Sequence, residues 1–384
     1  MRRVLILGGG FGGVATAHAL RQRLSAEDEI VLIERRPYFM LGLRQTWAMI
    51  GRGTLEEGRR PLRALEGQGI RVVQGTITAI DPAARAVEVD GRRMEGDAMV
   101  VALGAELDPD AVPGFRDHAL NVYDPQEIPR AAEAVRAFAG GRVVIGIFGA
   151  PYKCPPAPYE MAFLLQDLFE ARGVQASLTV FTPQPMSLPV LGEAGCSVLE
   201  GRLAERGIAF LPNHRATAVE AGAVRFGGQR LPFDLLLGIP PHRCPEVVVR
   251  SGLTDGGAWV KVNPRTMETR FPGVYAIGDI VEIPLPNGMP LPKAGVFAEA
   301  QGAVVAARIA ARFAGREPEA AFAGEGFCYL ELGRGEAMLV RGRFFAEPAP
   351  EIELTEPSPR YLEEKRAFEA ERLRAWFGEP VRPA

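Results

Sequence analysis

The chain has 384 residues, 47% of them apolar, and a formal net charge of −3. That length predicts two or three domains around a sizeable core, and the near-neutral charge excludes nucleic acid as the main partner. No window reaches the about 18 apolar residues of a membrane-spanning helix. The four cysteines, Cys154, Cys196, Cys244 and Cys328, form no CxxC pair and stand at no metal-ligand spacing from a histidine, so a bound metal is not expected.

The first residues, MRRVLILGGGFGG, place two arginines before a short apolar run and a glycine cluster, without a cleavage-like segment. They read as a strand running into a loop rather than a leader, which gives the expectation of a cytoplasmic protein, at most peripheral on the cytoplasmic face of a membrane. Val4–Leu7 is a short buried strand. Gly8, Gly10 and Gly13 then fit G-x-G-x-x-G, VATAHALRQRL has helical periodicity, and EIVLIE (29–34) is a second strand ending in Glu34. This is the full βαβ setting of a dinucleotide-binding fingerprint, with the acid about 20 positions after the last glycine. The glycines let the backbone approach a pyrophosphate, the helix N-terminus offers N–H donors, and Glu34 accepts from ribose hydroxyls.

Downstream, RVVQGTITAI and AVEVDGRRM read as hairpin strands around a DG turn. AMVVALGAEL (98–107) is a buried strand ending in glycine, and LDPDAVPGF looks like a domain crossing. A helix near 127–139, the strand Val143–Phe148, a helix near 158–172, the strand SLTVFTP, a helix near 193–206, then GIAFLP and LPFDLLLGIPP repeat the βα alternation. The fold class is therefore α/β, with two Rossmann-like parallel-sheet domains. VKVNPRTMETRFPGVYAIGDI ends in a strand and Gly278-Asp279, KAGVFAEAQGAVVAARIAARFAG is a long helix, and 325–345 holds short strands. Residues 358–378 form an amphipathic helix whose Tyr361, Leu362, Phe368, Leu373, Trp376 and Phe377 share one half of its circumference. That helix suits a membrane surface, its own domain or a dimer mate.

GGGFGG, VVALGAEL and FPGVYAIGDI resemble the three FAD contacts of the glutathione-reductase-like two-dinucleotide-domain flavoproteins. The resemblance implies non-covalent FAD, held by Gly8, Gly10, Gly13, Glu34, Gly104, Gly278 and Asp279, with Asp279 on the ribityl and phosphate region. Lys293, in PLPKAG, would precede the helix that points at the flavin pyrimidine, where a cation stabilises the anionic reduced flavin. The implied division is 1–113 and 247–318 for the FAD-binding domain, 114–246 for the second Rossmann-like domain, and 319–384 for a small C-terminal region.

The second domain departs from that pattern. After Val143–Phe148 a nicotinamide site wants another GxGxxG, and the chain has GIFGAPYKCPP. Proline donates no N–H to a phosphate, so a pyridine-nucleotide donor is not expected. Cys154, Glu160 in CPPAPYE, and Cys328 in GFCYLELG instead resemble the sulfide:quinone oxidoreductase and flavocytochrome c sulfide dehydrogenase flavoproteins, as does PLPNGMPLPKAGVFAEAQG. The resemblance spans nearly the whole chain. It implies that Cys154 and Cys328 form a disulfide or sulfur-bridged pair beside the flavin. Sulfide, or a related persulfide, attacks one sulfur, two electrons pass to FAD, and a quinone accepts them. Glu160 would shuttle protons, or it is a first-turn acid favoured by the helix dipole. Lys153 would lower a thiol pKa, or point away. Tyr329, Phe344 and Phe345 would line a quinone pocket or are ordinary core, the core reading being favoured for Phe344 and Phe345.

Two departures follow. Many quinone-reducing members have a third essential cysteine before the central strand, and nothing between Gly104 and Gly141 is a cysteine. Residues 1–153 contain none at all, so a covalent thioether to FAD in the N-terminal domain is excluded. Cys196 and Cys244 read as small buried hydrophobes, and His18, His118, His214 and His242 as structural. Two other readings share the scaffold: a type II NADH dehydrogenase or other pyridine-nucleotide flavin reductase, and a non-catalytic FAD-binding redox partner. A homodimer is plausible for this scaffold, without a sequence feature that requires it.

Overall fold

Short runs of aliphatic residues build two parallel sheets in a computed structural model that describes residues 1–378. The first has the order Val274–Ala276, Ala98–Val101, Arg3–Leu7, Glu29–Glu34, Arg71–Gln74, every neighbour pair parallel. Leu5, Ile6, Leu7, Val31 and Leu32 are inaccessible to solvent, as expected where both faces of a parallel sheet are covered. The second has the order Leu120–Asn121, Leu235–Ile239, Gly141–Ile147, Ala176–Phe181, Ala209–Leu211, again all parallel. The α/β class and the two Rossmann-like sheets expected from the sequence are both present.

One strand is placed differently from the reading above. Arg71–Gln74 pairs in parallel with Val31–Glu34 instead of joining a hairpin. The hairpin strands are Ile77–Asp81, Ala86–Val89 and Arg92–Glu95. Asp90 and Gly91 turn the last two with φ of 47° and 78°, the two positive angles a type I′ turn requires.

The strands after residue 318 form an antiparallel sheet, Glu325–Gly333, Glu336–Arg343 and Glu351–Leu354. The helix Pro359–Phe377 follows, capped by the Ser358 hydroxyl, which accepts from the Arg360 amide. Its buried stripe is Leu362, Lys365, Glu369, Leu373 and Trp376, at the three- and four-residue spacing of a helix face turned to a core. Trp376 sets its edge against Phe11 at 5.1 Å and Phe39 at 5.5 Å. Phe368 stacks on Phe11 and Phe377 on Phe39. Lower on the stripe, Arg44 Nε donates to Glu369 Oε1 at 2.9 Å, and a second guanidinium nitrogen meets Oε2. Most of the apolar face that suited a membrane surface is thus committed to the protein's own core. No helix among the described residues is long and apolar enough to cross a membrane.

Burial of this size predicts that Trp376→Ala costs about 3–5 kcal/mol. The expected result is a lowered thermal midpoint in detergent-free buffer. An unchanged midpoint would mean that the helix does not dock this way in solution.

Candidate active site

The glycine loop between Arg3–Leu7 and the helix Phe11–Arg21 is shaped by two close approaches. A Cβ on Gly8, whose φ is +107°, would stand 2.4 Å from the Ala102 carbonyl oxygen, and one on Gly13 would stand 1.9 Å from that of Gly8. At Gly10 a Cβ would meet nothing within 4 Å, and Gly104, at φ +67°, likewise faces open space. The helix has no acidic residue in its first turn. Among the described residues no protein acceptor meets the amides of Phe11, Gly12 and Gly13. Glu34 is buried at the rim and accepts from Gly9 N at 2.8 Å and Arg36 N at 3.0 Å. These are open donors at a helix N-terminus beside a fixed carboxylate, which fits a pyrophosphate and its ribose.

Asp279 follows the strand Val274–Ala276, which lies in the same sheet one strand away from Arg3–Leu7. Gly278 N donates to Gln301 Oε1 at 2.7 Å and fixes the turn. The Asp279 carboxylate has no hydrogen bond to the protein among the described residues, and burial pushes its pKa up against the pull of Lys293 and Lys153. An acceptor held without a partner fits a polyol hydroxyl such as those of the ribityl chain. Lys293 just precedes the helix Gly295–Phe313, as expected from the sequence, and its ammonium is turned to protein acceptors. It is buried, donates to the carbonyls of Asp279 at 2.5 Å and Val281 at 3.2 Å, and stands 3.6 Å over the Trp259 ring. Its ammonium is satisfied by the protein, and burial lowers its pKa to about 8.

The strand Gly141–Ile147 delivers the cysteine loop. Cys154 has φ +50°, a left-handed conformation that costs a non-glycine residue about 1–3 kcal/mol and clusters at functional sites. Hydrogen bonds hold it there: Cys154 N donates to Lys293 O at 2.8 Å, and its carbonyl accepts from the Tyr123 hydroxyl at 3.1 Å and Ala157 N at 3.0 Å. The loop consumes the donors of the next helix, Ala157–Ala171. Pro156 and Pro158 have no N–H, the Ala157 amide is taken by Cys154, and those of Tyr159 and Glu160 by the Pro156 carbonyl. Glu160 adds negative charge to that turn. No first-turn amide of this helix is left for a nucleotide phosphate.

Cys154 is exposed by area, yet burial pushes its thiol up to about 12. Both hold for a group that opens onto an internal cleft. Cys328 is half-buried, and its pKa is driven well up, first by burial and then by the charge of Cys154. The two thiols are within electrostatic range of each other, and both are free in this structure. Glu160 acts on both. It is buried, and its Oε1 accepts from Lys365 Nζ at 2.5 Å and Glu331 N at 2.8 Å. Lys365 Nζ also lies 2.8 Å from Glu331 Oε1, which accepts from Trp47 Nε1 at 2.7 Å; Arg52 stands 3.7 Å from Glu331 Oε2. Burial pushes Glu160 above the ordinary carboxylate range. Lys365, with Trp47 and Arg52, overcomes burial at Glu331 and holds it below.

Tyr329 follows Cys328 in sequence, but neighbouring strand residues point to opposite faces. Tyr329 joins Phe327 and Phe368 on the helix side, at ring distances of 5.7 and 6.5 Å, and its hydroxyl donates to Glu364 at 3.2 Å.

Residues 2–307 match the family described as pyridine nucleotide-disulphide oxidoreductase. The chain belongs to that family. It is a flavin-dependent oxidoreductase with FAD as cofactor, consistent with the fit of the glycine loop and Asp279. The mouse mitochondrial sulfide:quinone oxidoreductase is 21% identical over 363 residues, covering 90% of this chain and 79% of that protein. The Aquifex aeolicus sulfide-quinone reductase is 26% identical over 370 residues, covering 90% and 84%. The crystal structure of the Aquifex sulfide:quinone oxidoreductase superimposes with a TM-score of 0.88 at 24% identity, over 100% of this chain and 93% of that one. A Staphylococcus aureus type II NADH:quinone oxidoreductase is 26% identical over 349 residues, covering 80% and 82%. The resemblance drawn from CPPAPYE and GFCYLELG is borne out at the level of family and fold.

Sequence reasoning placed Cys154, Cys328 and Glu160, and the structure brings them together. It did not find Lys365, Glu331 or Trp47. The one available signal was a lysine within the buried stripe of the last helix. Because Lys365 opposes burial at both thiols, Lys365→Met raises both thiol pKa values and lowers the thiolate fraction at fixed pH. Alkylation of Cys154 should slow about tenfold, the equivalent of one pH unit, and Lys365→Arg should recover part of it. An unchanged alkylation pH profile would contradict this electrostatic role.

Proposed function

We propose that this flavoenzyme oxidises sulfide, or a related persulfide, through Cys154 and Cys328 and delivers the electrons to a quinone. One observation carries the reading: the loop after the central strand has no phosphate donors in its helix and presents Cys154 beside Cys328 and Glu160. The names of the relatives support the acceptor, since quinone occurs in both the sulfide and the NADH group.

In the oxidised enzyme Cys154 and Cys328 share a disulfide. Hydrosulfide attacks one sulfur, a new S–S bond to the substrate forms, and the bond between the cysteines breaks. One cysteine becomes a persulfide and the other leaves as a thiolate, so charge and atoms balance. The Glu160 carboxylate, raised by burial and open at Oε2, takes the proton released when hydrogen sulfide becomes hydrosulfide and passes it to that thiolate, while Lys365 stabilises the charge on either group. FAD, when bound, supplies the two-electron acceptor for the sulfur so held. Phe327, Tyr329 and Phe368 form the aromatic wall nearest the Cys328 strand and are the proposed quinone contacts.

The NADH relatives favour a second reading, in which the same scaffold takes electrons from a nicotinamide. The test is sulfide-driven reduction of a soluble quinone. Cys154→Ser and Cys328→Ser should each lose about a thousandfold or more while keeping their FAD. Retained sulfide activity in Cys154→Ser would sink the proposal. An NADH–quinone activity indifferent to both substitutions would establish the second reading.

A further inference from the structure

Among the described residues Lys153 is the one interior lysine without a hydrogen-bond or ion-pair partner. Lys293 is satisfied by two carbonyls and the Trp259 ring, and Lys365 by two carboxylates. Lys261 is exposed. Lys153 is half-buried and makes no hydrogen bond or ion pair among the described residues. An interior cation without an anion is unfavourable, and burial lowers its pKa accordingly.

Its place is set by the backbone. Lys153 pairs in a parallel bridge with Lys293, and the next amide, Cys154 N, donates to Lys293 O. Lys293 in turn grips the Asp279 carbonyl. Lys153 therefore hangs from the second domain beside Asp279. Its ammonium is drawn by the Asp279 carboxylate, more weakly by Asp124 and Cys154, and repelled by Arg36, which closely follows the ribose-side Glu34. Asp279 and Lys153 act on each other without touching: no N···O pair lies within ion-pair distance. A group that fits between them offers hydroxyls to the carboxylate and negative charge to the ammonium. A ribityl chain ending in phosphate has both, and the unpartnered amides of Phe11, Gly12 and Gly13 belong to the same cradle.

We propose that Lys153 is a cofactor-binding residue, closing over the FAD pyrophosphate from the second domain. This rests on FAD binding and is independent of the sulfur donor. It also means that one dipeptide, Lys153-Cys154, holds the cofactor and carries the first thiol, so the loop is seated by the cofactor it serves.

The test is equilibrium dialysis of the holoenzyme, read by FAD fluorescence over a range of KCl concentrations. Lys153→Met should raise the FAD Kd by about ten- to a hundredfold, the range for loss of one charge-assisted hydrogen bond. It should also flatten the salt dependence, since one screened contact is gone. Lys153→Gln should share the loss and keeps the test open if the methionine variant does not fold; Lys153→Arg should hold FAD within a few-fold of wild type. The flavin absorption band and midpoint potential should not move, because the contact is to phosphate. An unchanged Kd overturns the proposal. So does a raised Kd with the wild-type salt dependence, or one accompanied by a shifted band or potential, which would put Lys153 on the ring.

Discussion

A helix that follows a parallel strand binds a phosphate only through first-turn amides that nothing else has claimed. This chain contains the arrangement twice, with opposite outcomes. In the first domain the amides of Phe11, Gly12 and Gly13 are unpartnered and the turn carries no acid. In the second, Pro156 and Pro158 remove donors, the Cys154 and Pro156 carbonyls take the rest, and Glu160 supplies negative charge. The proposed entry of electrons through sulfur rests on that difference: the loop without free helix amides is the one that carries Cys154.

The thiols depend on a charge cluster drawn from four parts of the chain. Glu160 comes from the helix after the cysteine loop, Glu331 from the strand that carries Cys328, Lys365 from the last helix, and Trp47 from the helix Leu43–Met49. A buried cation between two carboxylates is weak evidence for stability. Its value here is positional: it fixes the acid near the cysteines, where Glu160 adds to the effect of burial on the thiols and Lys365 opposes it. The C-terminal helix therefore contributes charge to the site as well as aromatic packing to the core.

The fold was legible where it rests on local pattern. Strand, glycine loop, helix, strand and Glu34 occupy one continuous stretch, and each residue's requirement there is set by its neighbours. Arg71–Gln74 was misread because alternation does not tell an edge strand of a parallel sheet from a hairpin arm. The cysteines were legible only through resemblance, since no spacing rule joins residues 154 and 328. The acid's partner was not legible: Lys365 lies 205 residues from Glu160. On a helical wheel Lys365 and Glu369 fall inside the apolar half, and both are buried there because each has an opposite charge waiting inside. Tyr329 stands next to Cys328 in sequence, yet adjacency in a strand separates their side chains onto opposite faces.

The central claim is that electrons enter through sulfur and not through a nicotinamide. The most direct test is the oxidised-flavin absorbance of the wild-type protein under anaerobic conditions, with sulfide in one cuvette and NADH in another. The account predicts rapid bleaching by sulfide and none by NADH, with colour restored by a soluble quinone. Bleaching by NADH alone would contradict it and would mean that the proline loop binds a dinucleotide without the helix amides.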